Sequence, residues 1–139
     1  MASSYQEAVD AIGGLVLPAW NTATSSAPLM YPNIDEDPPE GSIWGRFSVR
    51  MFAGSRANIG PNGRFRRSGT AFVQIFVPKN TGMQTAYTVG ESMVEAFEDA
   101  GAVGNVWFRD VALLEVGADT SQTVHQVNVQ AVFTFDRVT

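Results

Sequence analysis

The run HQVNVQAVFTFDR, from His125 to Arg137, alternates more cleanly than any other part of the chain. Val127, Val129, Ala131, Phe133 and Phe135 fall on one side, and Gln126, Asn128, Gln130 and Thr134 on the other. Side chains of a β-strand point to opposite faces in turn, so this run needs an apolar layer over one face and a wetter surrounding on the other. A fold that contains it must be a sheet covered on one side.

Three further strand patterns precede it. SIWGRFSVRMFAGS predicts a half-buried strand over about 42–53, with Ile43, Phe47, Val49 and Met51 to one side and Arg46, Ser48 and Arg50 to the other. Residues 54–67 carry three glycines, a proline and the pair Asn62–Gly63, which predicts a hairpin with a long projecting loop. SGTAFVQIFV predicts a second, central strand over about 68–77, stopped by Pro78. NVWFRDVALLEVG, from Asn105, breaks its alternation at Arg109–Asp110, where a bulge reconciles the two halves. Gly117–Ser121 makes a polar turn before the last strand.

Two helices fit between these runs. Ser4 and Glu7 have capping-box spacing, and Val9, Ile12, Val16 and Ala19 or Trp20 follow at helical steps. Gly13 and Gly14 weaken this helix, and Pro18 is expected to kink or end it, giving a helix of about 4–17. Residues 21–42 are expected to be a long connection along the domain edge. The second helix is expected over about 82–100. Ala86, Val89, Met93, Phe97 and Ala100 face inward, Glu91, Glu95, Glu98 and Asp99 face outward, and Gly101 ends it. The expected fold is α+β, a four-stranded antiparallel sheet with two main helices on one face, in the order α-β-β-α-β-β with long loops. The 139 residues fit a single domain, 1–139, large enough for a core without staples.

Composition narrows the function classes. No apolar run approaches the roughly 18–20 residues of a membrane-spanning helix. The first residues lack the basic start and apolar centre of a secretory signal. The absence of cysteine removes disulfides, thiolate nucleophiles and cysteine-based metal sites, and suits a reducing compartment. A formal net charge of −5 argues against a chain whose task is to grip phosphates.

The residues of catalysis are missing as patterns. The single histidine, His125, begins a strand with no clustered ligands around it and reads as an ordinary strand-end residue. There is no nucleophile elbow and no nucleotide-binding glycine loop, since the glycine-rich segment links two strands rather than opening a helix. Asp35, Glu36, Asp37 and Glu40 lack the spacing of a calcium loop and read as a solvated segment. No catalytic residue, metal or cofactor is expected, and the chain is not expected to be an enzyme.

The arginines remain. Arg64, Arg66 and Arg67 lie within four residues, and Arg46 and Arg50 share one face of the first strand. Tracking phosphates, pairing with the chain's own fourteen carboxylates, and forming a protein interface are the three available roles. The interface is favoured, because arginine is enriched in protein contacts and its planar fork binds carboxylates bidentately. Arg46, Arg50, Arg64, Arg66, Arg67 and Lys79 are therefore the candidate interface residues. An acidic partner surface is available on a second copy of the chain, at Glu91, Glu95, Glu98 and Asp99.

Several stretches together resemble the tail terminator proteins of long-tailed bacteriophages, the head-proximal tail caps. They are YPN at 31–33, WGRFSV in the first strand, RRSGTAFVQIFVP in the second, KNTG leading into a helix that ends MVEAF, and QVNVQAVFTFD at the close. The resemblance covers about 110 of the 139 residues in order, and it is carried by the order and spacing of the motifs together. It implies a structural virion protein, a hexameric homo-oligomeric ring that caps the tail tube, ends its polymerisation and joins the tail to the head connector. Tail tube protein and head-tail connector protein are the implied partners, with no membrane, and DNA passes through the lumen without specific binding. The implied location is the head-proximal end of the virion tail, with assembly in the host cytoplasm. The resemblance also implies that the Arg64–Arg67 cluster anchors the projecting loop in a neighbouring subunit or in the tube, so that charge reversal at Arg66 and Arg67 weakens assembly without altering the fold. Another head-tail neck or completion protein is the alternative, followed by a small ligand- or nucleic-acid-binding module.

Overall fold

The computed structural model describes residues 4–31, 41–52, 54–57, 59–60, 63–78, 84–118 and 124–138, without the side chains of 117, 118 and 138. Helix α1 spans Tyr5–Thr24 and helix α2 spans Gln84–Ala100. The strands are β1 (Leu29–Met30), β2 (Trp44–Met51), β3 (Ser55–Arg56), β4 (Arg64–Pro78), β5 (Ala102–Val103), β6 (Val106–Ala118) and β7 (Val124–Val138). They form one sheet in the order β1-β2-β4-β7-β6-β5, with β3 also on β4.

The architecture corrects the expected four-stranded antiparallel sheet with two helices on one face. The sheet has seven strands, is mixed because β1 runs parallel to β2, and is curled into a half-barrel. The four anticipated strands are all present, and the three additions are two-residue strands in segments that read as loop or turn. A two-residue strand is too short to carry a period, so no alternation announces it. The curl follows from length. β4 and β7 are fifteen residues each and pair along their whole extent, from Arg64↔Val138 to Pro78↔Val124. Strand twist accumulates over such a length. Register shifts in β6 at Phe108/Asp110 and Glu115/Gly117 add to it, the first being the anticipated bulge.

The β7 alternation holds throughout: Val127, Val129, Ala131, Phe133 and Phe135 are all fully buried. They join Ala71, Val73, Ile75 and Val77 of β4, Phe47 of β2 and the inner faces of both helices in one core. Ala86, Val89, Met93 and Phe97 of α2 lie in that core as their spacing predicts. Gly101 (φ 62°) closes the helix, its N–H donating to the Phe97 carbonyl at 3.0 Å.

Helix α1 differs from expectation at its second half. The Ser4 hydroxyl caps it, accepting from the Glu7 N–H at 3.0 Å, but the helix runs through Pro18 to Thr24. A mid-helix proline loses one hydrogen bond and crowds the carbonyl four residues back, which here belongs to Gly14. Packing beyond the proline offsets that cost. Trp20 is fully buried, and its indole N–H donates to the Ala27 carbonyl at 2.8 Å. Ser25 then ends the helix in the left-handed region, with φ 56°. The expected long connection thus contributes to α1 and β1. Its acidic residues Asp35, Glu36, Asp37 and Glu40 lie outside the described residues, as does most of the turn before β7.

Candidate functional site

Alternation along β4 divides the arginines that the sequence presents as one cluster. Arg64 and Arg66 fall on the face turned away from the helices, and Arg67 falls on the helix side. Arg66 lies directly opposite Asp136 in the β4–β7 register. Its Nε donates to Asp136 Oδ1 at 3.0 Å and its terminal nitrogen to Oδ2 at 3.2 Å, a bidentate geometry that fixes orientation as well as charge. The hydrogen bonds and then the charge of Asp136 raise the Arg66 pKa above its ordinary value. Arg64 approaches the same carboxylate at 3.6 Å.

One carboxylate, almost buried, therefore serves two arginines. The Asn105 side chain donates to the Asp136 carbonyl at 2.7 Å, and the Arg66 guanidinium lies 5.5 Å from the Trp107 ring centre. Arg67 lies instead over Tyr5 of α1 at 4.9 Å and near Phe65 at 5.9 Å, with its Nε buried and without a hydrogen-bond partner. It clamps the helix N-terminus to the sheet by cation–π contact.

Arg46 and Arg50 behave as their spacing predicts. Both are exposed on the open face of β2, opposite Gln74 and Thr70. Arg46 rests over Trp44 at 5.6 Å and Phe76 at 6.0 Å, and those two rings stack at 4.1 Å. Met30 and Val124 complete this second apolar cluster. Among the described residues neither Arg46 nor Arg50 meets a carboxylate. Ten residues of β4 separate Arg66 from Phe76, about 33 Å at the usual rise, so the four guanidinium groups of the open face are spread along it rather than gathered, and the fifth, Arg67, lies on the other side of the sheet. Lys79 lies outside the described residues.

Three features of this surface were not singled out in the sequence: Asp136, the Trp44–Phe76 shelf and the ring of Trp107. Asp136 does fall on the even-numbered, polar side of β7, two residues after Thr134. That parity is the only signal of it. His125 is half-buried opposite Val77, its Nδ1 without a hydrogen-bond partner. No group of three or more potential metal ligands occurs among the described residues.

Charge is segregated between the layers. The helices hold Glu7, Asp10, Glu91, Glu95, Glu98 and Asp99 and neither lysine nor arginine. The strands hold Arg46, Arg50, Arg56, Arg64, Arg66, Arg67, Arg109 and Arg137, against Asp110, Glu115 and Asp136. A molecule so divided is complementary to a second copy of itself when the acidic layer of one meets the basic strands of the next.

The family model for phage tail terminator proteins matches residues 10–130. The chain belongs to that family. Membership places this terminator-family chain among the structural proteins of phage tails and of the virion. A chain from the virion of a native gene transfer agent particle is similar in fold at a TM-score of 0.58 and 12% identity, over 98% of this chain and 100% of that one. A second solved structure is similar at a TM-score of 0.70 and 18% identity, over 96% of each chain. No curated protein matches.

Proposed function

We propose that this terminator-family chain forms a six-membered ring on the head-proximal end of the tail tube, where it stops tube growth and offers a different face to the head connector. The family match over residues 10–130 carries this reading. The physical task is to satisfy the last open face of a head-to-tail polymer, a contact that never closes along the tube axis. A cap does so with one face and must present another above it. The protein joins tail tube and connector proteins during assembly in the host cytoplasm and stays in the virion.

The centre of the open sheet face suits the lumen of such a ring. Gln74, Gln126, Asn128 and Gln130 lie there, half-buried and uncharged. Amides let DNA pass, whereas a row of arginines would hold phosphates. Arg46 and Arg50 are the proposed contacts to a neighbouring subunit or to the tube. Arg66 is a poorer probe than its sequence position implies, because its reversal sets two carboxylates against each other at Asp136.

The test is to add purified protein to polymerising tail tube protein and measure tube length by negative-stain electron microscopy. Shorter tubes with a ring at one end are expected, with the effect weakened in the Arg46→Glu/Arg50→Glu variant. Tubes of unchanged length with bare ends would reject the capping role.

A further inference from the structure

The loop between β2 and β4 carries an isoleucine that is completely exposed, Ile59. A lone exposed hydrophobe is ordinary, but this one sits at the tip of an arm whose base is held. Ser55 and Arg56 pair with Arg66 and Phe65. The Ala57 N–H donates to the Arg64 carbonyl at 2.6 Å. Arg56 donates to the Gly60 carbonyl and lies over Phe65 at 5.6 Å. Phe52, at the root, is 47% exposed. The arm from 52 to 63 holds one cation, Arg56, and no carboxylate.

A receptor of matching chemistry lies at the other edge of the sheet. Between α2 and β6 runs a groove of about 360 Å³ with Val94 and Leu113 as its apolar floor and Glu91, Glu95 and Glu98 around it. Gly90 sets that floor, since a Cβ there would stand 2.6 Å from a Leu113 methyl. No lysine or arginine of α2 offsets the three carboxylates.

Resting on the ring reading, we infer that the arm of one copy seats Ile59 in the α2–β6 groove of a second copy. Charge complementarity favours this occupant: an arm bearing a cation and no carboxylate meets an acidic rim. The arm rises on the β2 side of β4 and the groove lies beside β6, beyond β7 in the strand order. Knob and socket at opposite edges of one sheet suit a heterologous contact, which closes as a ring or runs on as a filament. Two acidic grooves facing each other would repel.

The absence of cysteine gives a clean test. Ile59→Cys and Glu95→Cys, both at exposed positions, are made singly and together, and each is oxidised mildly over a concentration series while mass is followed by light scattering. The inference expects a ladder of covalent multimers from the double variant and a single covalent dimer band from the two singles mixed. Neither single variant alone should cross-link. Multimers that form without any 59–95 disulfide overturn the arm-in-groove contact and leave the ring standing. Cross-linking of Ile59→Cys with itself overturns the contact in favour of a two-fold arrangement. Monomers at every concentration, with no disulfide, overturn both this contact and self-assembly of the free protein. As a second readout, Ile59→Glu sets acid against acid and should abolish the multimers; their persistence would also overturn the contact.

Discussion

The two faces of the sheet are built from the same strands and solve opposite problems. On the helix side, the odd-numbered residues of β7 from Val127 to Phe135 are all fully buried, and Phe133 and Phe135 stack at 6.3 Å within one continuous core. On the open side, even-numbered residues of the same strand include the amides Gln126, Asn128 and Gln130, the Thr134 hydroxyl and the Asp136 carboxylate, and other strands place Arg46, Arg50 and Leu114 in solvent. The covered face holds the fold together through apolar area. The open face is held by specific pairs, the Arg66–Asp136 fork at one end and the Trp44–Phe76–Arg46 stack at the other. Such a face can change its partners without unmaking the core.

The contrast breaks most sharply on substitution across the sheet. Phe133→Ala removes a fully buried ring and leaves a cavity, at an expected cost of about 3–5 kcal/mol. Leu114, on the opposite face and 45% exposed, should tolerate serine within about 0.5 kcal/mol. Urea unfolding of both variants measures the difference directly. Equal losses would mean that the open face is covered in the isolated protein.

Legibility followed the same division. Alternation exposed the covered face of β7 residue by residue, and helical spacing exposed the inner face of α2, because burial imposes a period. The cap at Ser4, the stop at Gly101 and the bulge at Phe108/Asp110 each had a local chemical cause. The open face was harder to read because its order depends on register between distant strands. Asp136 lies seventy residues from Arg66, and only the β4–β7 pairing brings them together. The split of the arginines was hidden by placing the start of β4 at residue 68 instead of Arg64, since parity has no meaning in a loop. The continuation of α1 past Pro18 was hidden for a different reason, because local propensity yields there to the burial of Trp20.

A smaller effect sharpens the comparison within the open face. Arg46 has aromatic rings beneath it and no carboxylate, so Arg46→Ala removes a cation–π contact of about 0.5–1 kcal/mol. Thermal unfolding should register only this small loss. If Arg46 is an interface residue, the same variant loses tube capping far out of proportion to its stability. Capping that falls only as stability falls would return Arg46 to a purely structural role.

The smallest expected effect lies where the helix layer meets β6. The Tyr87 hydroxyl of α2 donates to Glu115 Oε2 at 2.9 Å, and that hydrogen bond, with lesser help from desolvation and the carboxylate charge, raises the phenol pKa above 10.0. A raised pKa means that the neutral phenol is favoured in the folded state. The contribution is complete below the unfolded value near 10 and is lost as pH climbs through the higher folded value. Ultraviolet titration of the wild type minus Tyr87→Phe isolates this phenol from Tyr5 and Tyr31. Its midpoint should fall toward 10 in Glu115→Ala, which removes both the acceptor and the charge. A midpoint unchanged by that substitution would show that Glu115 does not hold Tyr87. It would also leave α2 fixed on β6 chiefly by the close contact of Gly90 with Leu113, on which the proposed socket depends.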